Sequence, residues 1–214
     1  VYNETLTMVE QDGEMPVAPL MYKPSKIISV RNAHLDIQYE EGKDYIYEDG
    51  MIKLLANTSI PYFKQSEVYP ETLEDSNTRR TVDGGYIKVT EGNYYHEKQI
   101  AVTYLHDDTW QGKKPSYKGD KLPKIFEKLN NKEDITIVLY GDSISVGANS
   151  SGVIGSAPWL PIWGKLVAMK LENEFGVKVN FQNSSKGGTT SAWGLENVEE
   201  RVNAYNPDLV IIAF

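Results

Sequence analysis

A run of β-branched and apolar residues, Ile135-Thr136-Ile137-Val138-Leu139-Tyr140, stops at Gly141-Asp142-Ser143. This pattern predicts a buried strand that runs into a tight turn and presents the Ser143 hydroxyl. Open α/β sheets place their ligands at the carboxyl ends of strands, which makes Ser143 a candidate nucleophile. A serine hydroxyl is a weak nucleophile at neutral pH. It needs a base within hydrogen-bond reach and donors for the oxyanion that forms on the attacked carbonyl. Two donors are expected: the backbone N–H of Ser143 and a glycine N–H in the loop Ser185-Lys186-Gly187-Gly188-Thr189-Thr190-Ser191. Glycine suits that loop because the backbone must approach the substrate closely. Both segments follow expected strands and so converge on one edge of the sheet.

Other chemistries find less support. The chain has no cysteine, which excludes thiol catalysis, disulfides and cysteine metal sites. The glycine loops match neither the phosphate loop with its lysine nor the dinucleotide fingerprint. His34, His96 and His106 all precede residue 111, in turn-like or strand-end contexts, and read as solvated or internally satisfied loop histidines. His106-Asp107-Asp108 is too sparse for a metal site. Neither a metal nor an organic cofactor is expected. A net charge of -8 gives nucleic-acid binding no electrostatic support. No apolar run approaches the roughly 18 residues that span a bilayer, so a membrane is not an expected partner either.

The elements that must hold Ser143 change character near residue 130. Before it, short apolar or aromatic runs alternate with turn signals: Lys26–Val30, Asp44–Tyr47 closed by Glu48-Asp49-Gly50, Met51–Leu55, Tyr86–Thr90 after Asp83-Gly84-Gly85, and Gln99–Tyr104. Asp-Gly between strand-like runs signals a hairpin. With no long 3.6-residue period, residues 1 to about 110 read as an all-β unit, a sandwich or jelly roll. Most of the 14 tyrosines lie there. They suit half-buried sheet faces, with a sugar-binding platform as the alternative. Residues 111–134 read as a linker with a short helix over Leu122–Leu129, so the first domain with its linker spans 1–130.

From residue 135 the pattern is β-α-β-α-β, which implies a parallel sheet with right-handed crossovers. The first strand covers 135–140, and a Gly/Ser-rich loop covers 141–157. The next helix has Trp159, Ile162, Trp163, Leu166, Val167 and Leu171 at helical spacing, with Ser156 as N-cap and Gly176 as stop. Val177–Phe181 is the second strand. A helix with Leu195, Val198, Val202 and Tyr205 on one face follows the second glycine loop, and Asp208–Phe214 is the third strand. The loop Gly147–Ser156 is long for a strand-to-helix connection. It is expected to wall a substrate pocket together with Trp159 or Trp193, for which core packing is the alternative role.

Tyr140-Gly141-Asp142-Ser143-Ile144-Ser145-Val146-Gly147 resembles the first block of the SGNH, or GDSL-type, hydrolases. Asn183-Ser184-Ser185-Lys186-Gly187-Gly188-Thr189-Thr190-Ser191 resembles their second block, where a glycine N–H lines the oxyanion hole. Pro207–Phe214 looks like the strand that leads into their third block, Gly-x-Asn-Asp, which supplies an asparagine donor. The family's base and orienting acid lie in a later Asp-x-x-His block. The resemblance covers residues 134–214, the first half of a flavodoxin-like SGNH domain. The preceding β unit more loosely resembles the accessory domain of some carbohydrate-active members. By position, the resemblance makes Ser143 the nucleophile and first oxyanion donor, and Gly188 the oxyanion glycine, with Gly187 as fallback. Asp142 in this family holds the nucleophile loop.

The implied function is a serine esterase that removes an acyl group, acetyl foremost, from an oxygen of a carbohydrate through an acyl-enzyme. Its partners would be a small-molecule or carbohydrate ester and a continuation or second polypeptide carrying the remaining blocks beyond Phe214. Val1 is not a natural start, which together with family habit points to a processed, secreted or periplasmic protein. The alternative, from a different class, is a carbohydrate-binding or structural β module with a non-catalytic remnant of the hydrolase fold. Loss of the base alone typically costs several orders of magnitude in rate.

Overall fold

The computed structural model describes residues 1–73 and 75–214. They form two compact units, residues 1–111 with 156–158, and residues 112–155 with 159–214. Strands and helices are mixed, and no sheet among the described residues closes into a barrel.

The first unit contains β1 (Glu4–Thr7), β2 (Val17–Pro19), β3 (Pro24–Asn32), β4 (Gln38–Tyr39), β5 (Tyr45–Glu48) and β6 (Met51–Leu54). These are followed by α1 (Gln65–Val68), β7 (Thr78–Arg80), β8 (Tyr86–Lys88), α2 (Asn93–His96) and β9 (Gln99–His106). These strands pair antiparallel, in sheets ordered β1-β9-β3-β4, β2-β6-β5 and β7-β8. Asp49-Gly50 closes the β5–β6 hairpin with both residues at positive φ, 52° and 81°, and Glu48 stands opposite Met51. That two-residue turn follows the right-handed twist of the strands it joins. One buried cluster draws on the two larger sheets: Leu6, Val30, Ile100, Val102 and Tyr104 from one, Ala18, Tyr45, Ile52 and Leu54 from the other. Several tyrosines thus take the packing role. Tyr39, Tyr45 and Tyr104 are buried, and Tyr94 and Tyr95 each stand 5.3 Å from the Phe63 ring. The single-turn helices α1 and α2 were not expected; four residues are too few to show a helical period.

The second unit contains α3 (Pro123–Asn130), β10 (Ile135–Gly141), α4 (Ser143–Val146), α5 (Trp163–Phe175), β11 (Val179–Asn183), α6 (Ser191–Arg201) and β12 (Leu209–Ala213). Its sheet is parallel, ordered β11-β10-β12, so β10 is central. The two-residue period of β10 divides its side chains between two cores. Ile135 and Ile137 join Ile125 and Leu129 of α3 and Ala168 of α5. Val138 and Tyr140 join Trp193 and Val198 of α6 and Val202 beyond it. Covering both faces explains why β10 reads as a continuous apolar run rather than an alternating one.

Several details depart from the sequence reading: residues 112–134 belong to the second unit, α4 lies within the expected 141–157 loop, and the second strand runs Val179–Asn183 rather than Val177–Phe181. Helix α5 begins at Trp163, capped by Ile162 with φ −57° and ψ 152°, so neither Ser156 nor Trp159 belongs to it. Pro158 and Pro161 lack donor N–H groups and disfavour helical backbone in the residues before them, which pushes the start downstream. On α6, Val198 and Val202 of the expected face do pack against the sheet, but Leu195 is 78% exposed and Trp193 and Gly194 take its place.

Candidate active site

Ser143 opens α4 immediately beyond the carboxyl end of β10. Asp142, the preceding residue, is the N-cap: its Oδ1 accepts the Ile144 N–H at 2.9 Å, and its own N–H donates to the Ala213 carbonyl at 3.2 Å. The aspartate therefore fixes the turn and ties it to β12. Ser145 Oγ, fully buried, donates to the same Ala213 carbonyl at 3.1 Å. Ser143 itself is exposed. Neither its hydroxyl nor its N–H has a hydrogen-bond partner among the described residues.

The second glycine segment is laced to the end of β10. The Ser184 N–H donates to the Leu139 carbonyl at 2.9 Å, and the Lys186 N–H to the Gly141 carbonyl at 2.9 Å. These bonds carry the chain past the nucleophile turn. A methyl group built on Gly187 would lie 3.7 Å from Ser143 Cβ, so the Gly187 backbone faces the nucleophile. Gly188 follows with φ +73°, a left-handed conformation that glycine adopts without penalty. Its N–H also has no partner among the described residues. Thr189 Oγ1 donates to the Lys186 carbonyl at 2.6 Å and closes the turn.

Two residues that sequence reasoning did not single out hold the nucleophile turn from outside. Asn183, the last residue of β11, reaches the Ser145 carbonyl, and the Trp163 indole N–H donates to the Ile144 carbonyl at 3.3 Å. The Gly147 N–H already reaches the Ile144 carbonyl at 3.2 Å, and the Trp163 indole adds a second donor there, while Asn183 supplies a donor to the Ser145 carbonyl. The signal for Asn183 was its place between a strand and a glycine loop, where asparagine forms local turns. For Trp163 nothing local marks the role.

Trp193 packs between Tyr140 and Phe214, with ring centroids at 5.8 and 6.5 Å, and Lys186 Nζ stands 5.6 Å from its ring. Trp159 is 64% exposed at φ +59°. The histidines belong to the first unit. His34 and His96 have ring centroids 5.6 Å apart, His96 Nε2 donates to the Ala157 carbonyl at 2.8 Å, and His106 stacks on Tyr22 at 4.2 Å. Residues 112–214 contain no histidine. The second unit thus presents an exposed serine hydroxyl and unpaired backbone donors beside it.

No protein-family model matches this chain, and no curated protein matches it. Among solved structures, a two-domain esterase active on acetylated mannans is similar, with 27% sequence identity and a TM-score of 0.37. The match covers 44% of this chain and 24% of that one, so the chain spans well under half of that protein's length.

Proposed function

We propose that residues 112–214 carry the nucleophile of a serine esterase of the SGNH type, and that its substrate is an acetyl ester of a carbohydrate. One observation carries the reading: Ser143, exposed and with an unpartnered hydroxyl, stands at the end of the central parallel strand with the Gly187 backbone against it. Ser143 Oγ attacks the ester carbonyl carbon and gives its proton to a base. The carbonyl π electrons move onto oxygen, where the N–H groups of Ser143 and Gly188 donate to the oxyanion. The tetrahedral intermediate collapses, breaks the bond to the sugar oxygen and returns a proton to it. Water then cleaves acyl-Ser143 by the same sequence and releases acetate. The SGNH resemblance assigns the base and a further oxyanion donor to its later blocks. The carbohydrate half of the proposal rests on the resemblance of the preceding β unit to accessory domains of carbohydrate-active members.

A fluorophosphonate probe with intact-mass and peptide mapping tests the reading. The expected result is a single adduct on Ser143, abolished by Ser143→Ala, together with acetate release from acetylated polysaccharide. An unlabelled Ser143, or an adduct that survives Ser143→Ala, would overturn it.

A further inference from the structure

Within the first unit, a cleft of about 510 Å³ opens between the end of α1 and the β7–β8 hairpin. Tyr69 and Pro70 line one side; Thr81, Val82, Asp83 and Tyr86 line the other. The volume is in the range of small-ligand sites. Unlike the tyrosines packed on Phe63 or in the core, Tyr69 is 45% exposed. Neither the Tyr69 nor the Tyr86 hydroxyl has a hydrogen-bond partner among the described residues. Two rings that pair an apolar face with a free polar tip, both in the lining of one cleft, are more than sheet packing calls for.

The hairpin adds a fixed acceptor. Asp83 takes the Thr81 hydroxyl on Oδ1. That bond, followed by local backbone N–H groups, holds its carboxyl below the ordinary aspartate range, so Asp83 stays ionised at neutral pH. Thr81 and Gly85 pin the loop with the bond from the Thr81 N–H to the Gly85 carbonyl at 2.9 Å.

We infer that this cleft binds a neutral polysaccharide chain, with the Tyr69 and Tyr86 rings against sugar C–H faces and the tyrosyl tips and the Asp83 carboxylate on sugar hydroxyls. Sugars present this combination, an apolar ring face edged by hydroxyls. Asp83 is the one lining side chain charged at neutral pH, and its carboxylate favours a neutral polymer over a uronate or phosphate one in the cleft; the hairpin's cations, Arg79, Arg80 and Lys88, are not among the lining residues. A protein partner would call for a broader apolar surface than Val82 and Pro70 offer. The site lies in the unit that lacks Ser143, and it stands or falls apart from the esterase reading.

Native electrophoresis of the full chain through gels containing glucomannan, xylan, hydroxyethyl cellulose or polygalacturonate tests this. At least one neutral polymer is expected to retard the protein, and polygalacturonate is not. Tyr69→Ala and Tyr86→Ala should each weaken retardation about tenfold or more. The Tyr→Phe variants keep the rings and should retain more binding than the alanine variants, which separates lost stacking from lost folding. Ser143→Ala should bind as the unaltered chain does, which separates this cleft from the esterase site. Fluorophosphonate labelling should be unchanged in both alanine variants. No retardation by any neutral polymer, retardation unaltered in both alanine variants, or preference for polygalacturonate would each overturn the inference.

Discussion

Asn183 Nδ2 donates to the Ser145 carbonyl at 3.0 Å, while its Oδ1 accepts the Ser185 N–H at 3.1 Å. One amide thus joins the nucleophile turn to the loop that carries Gly187 and Gly188. Asn183→Ala removes both bonds and frees the two segments to drift apart. A misplacement of about 1 Å can cost about a hundredfold in rate. The second-order rate of fluorophosphonate labelling at Ser143 should therefore fall between about tenfold and a hundredfold, with about 1 kcal/mol of stability lost per hydrogen bond. Trp163→Phe, which deletes the donor to Ile144 along with part of the ring, should show a smaller fall in the same rate. Labelling at an unaltered rate in folded Asn183→Ala would show that the amide positions nothing.

The adjacent glycines separate backbone strain from crowding. Gly188 sits at φ +73° with open space around it, so Gly188→Ala meets no clash but strains the backbone. The cost is about 1–2 kcal/mol, and relief of that strain turns the N–H assigned to the oxyanion. Gly187 has no positive φ, and the methyl of Gly187→Ala would reach 3.7 Å from Ser143 Cβ. It should leave the unfolding midpoint unchanged yet slow reaction with large acyl esters more than with acetyl esters. Urea unfolding and paired ester kinetics separate the two; the same profile for both variants would refute the distinction.

Much of this site was legible because it rests on short-range signals. A continuous apolar run ending at Gly141-Asp142-Ser143 gave the strand and its turn, and a second glycine segment gave the facing loop. The Asp49-Gly50 hairpin was equally legible, since its conformation is local. What escaped depends on tertiary neighbours. Spacing at 159, 162, 163 and 166 suggested an early helix, but two prolines outweighed it. The packing face of α6 is chosen by Phe214, which leaves no room for a side chain at Gly194. The roles of Asn183 and Trp163 exist only once the Ser145 and Ile144 carbonyls of α4 are placed beside them.

Gly164 shows how tightly α5 lies on the sheet. A Cβ there would fall 2.6 Å from Leu139 Cδ2 and 3.0 Å from Phe181 Cζ. Gly164→Ala must push the helix off β10 and β11, at a cost of about 1–3 kcal/mol. Because Trp163 precedes it, the same shift should lengthen the indole bond to Ile144 and slow Ser143 labelling. Denaturant unfolding and the labelling rate, measured together, should both fall; a fully stable variant would contradict the packing.

Two contacts, one partly exposed and one in the core, set opposite edges of the pH range of stability. Burial would raise the Asp208 carboxyl, but Lys128 Nζ at 2.6 Å on Oδ1 and the Thr136 N–H at 2.8 Å on Oδ2 outweigh it and hold the group below its ordinary value of 3.8. Its contribution is therefore present above that value and is lost as pH falls through the lower, folded one. Tyr104 is the converse. Burial first, and then the Glu4 carboxylate that its hydroxyl donates to, push it from 10.0 up to about 12. Folding favours the neutral phenol, so its contribution is complete below pH 10 and disappears as pH rises from there through about 12. Asp208→Asn should lose about 1–3 kcal/mol at neutral pH and flatten the acid limb. Tyr104→Phe should remove the alkaline limb while leaving the acid one. Urea midpoints measured across the pH range check both, and an alkaline limb that persists in Tyr104→Phe would assign it to another group.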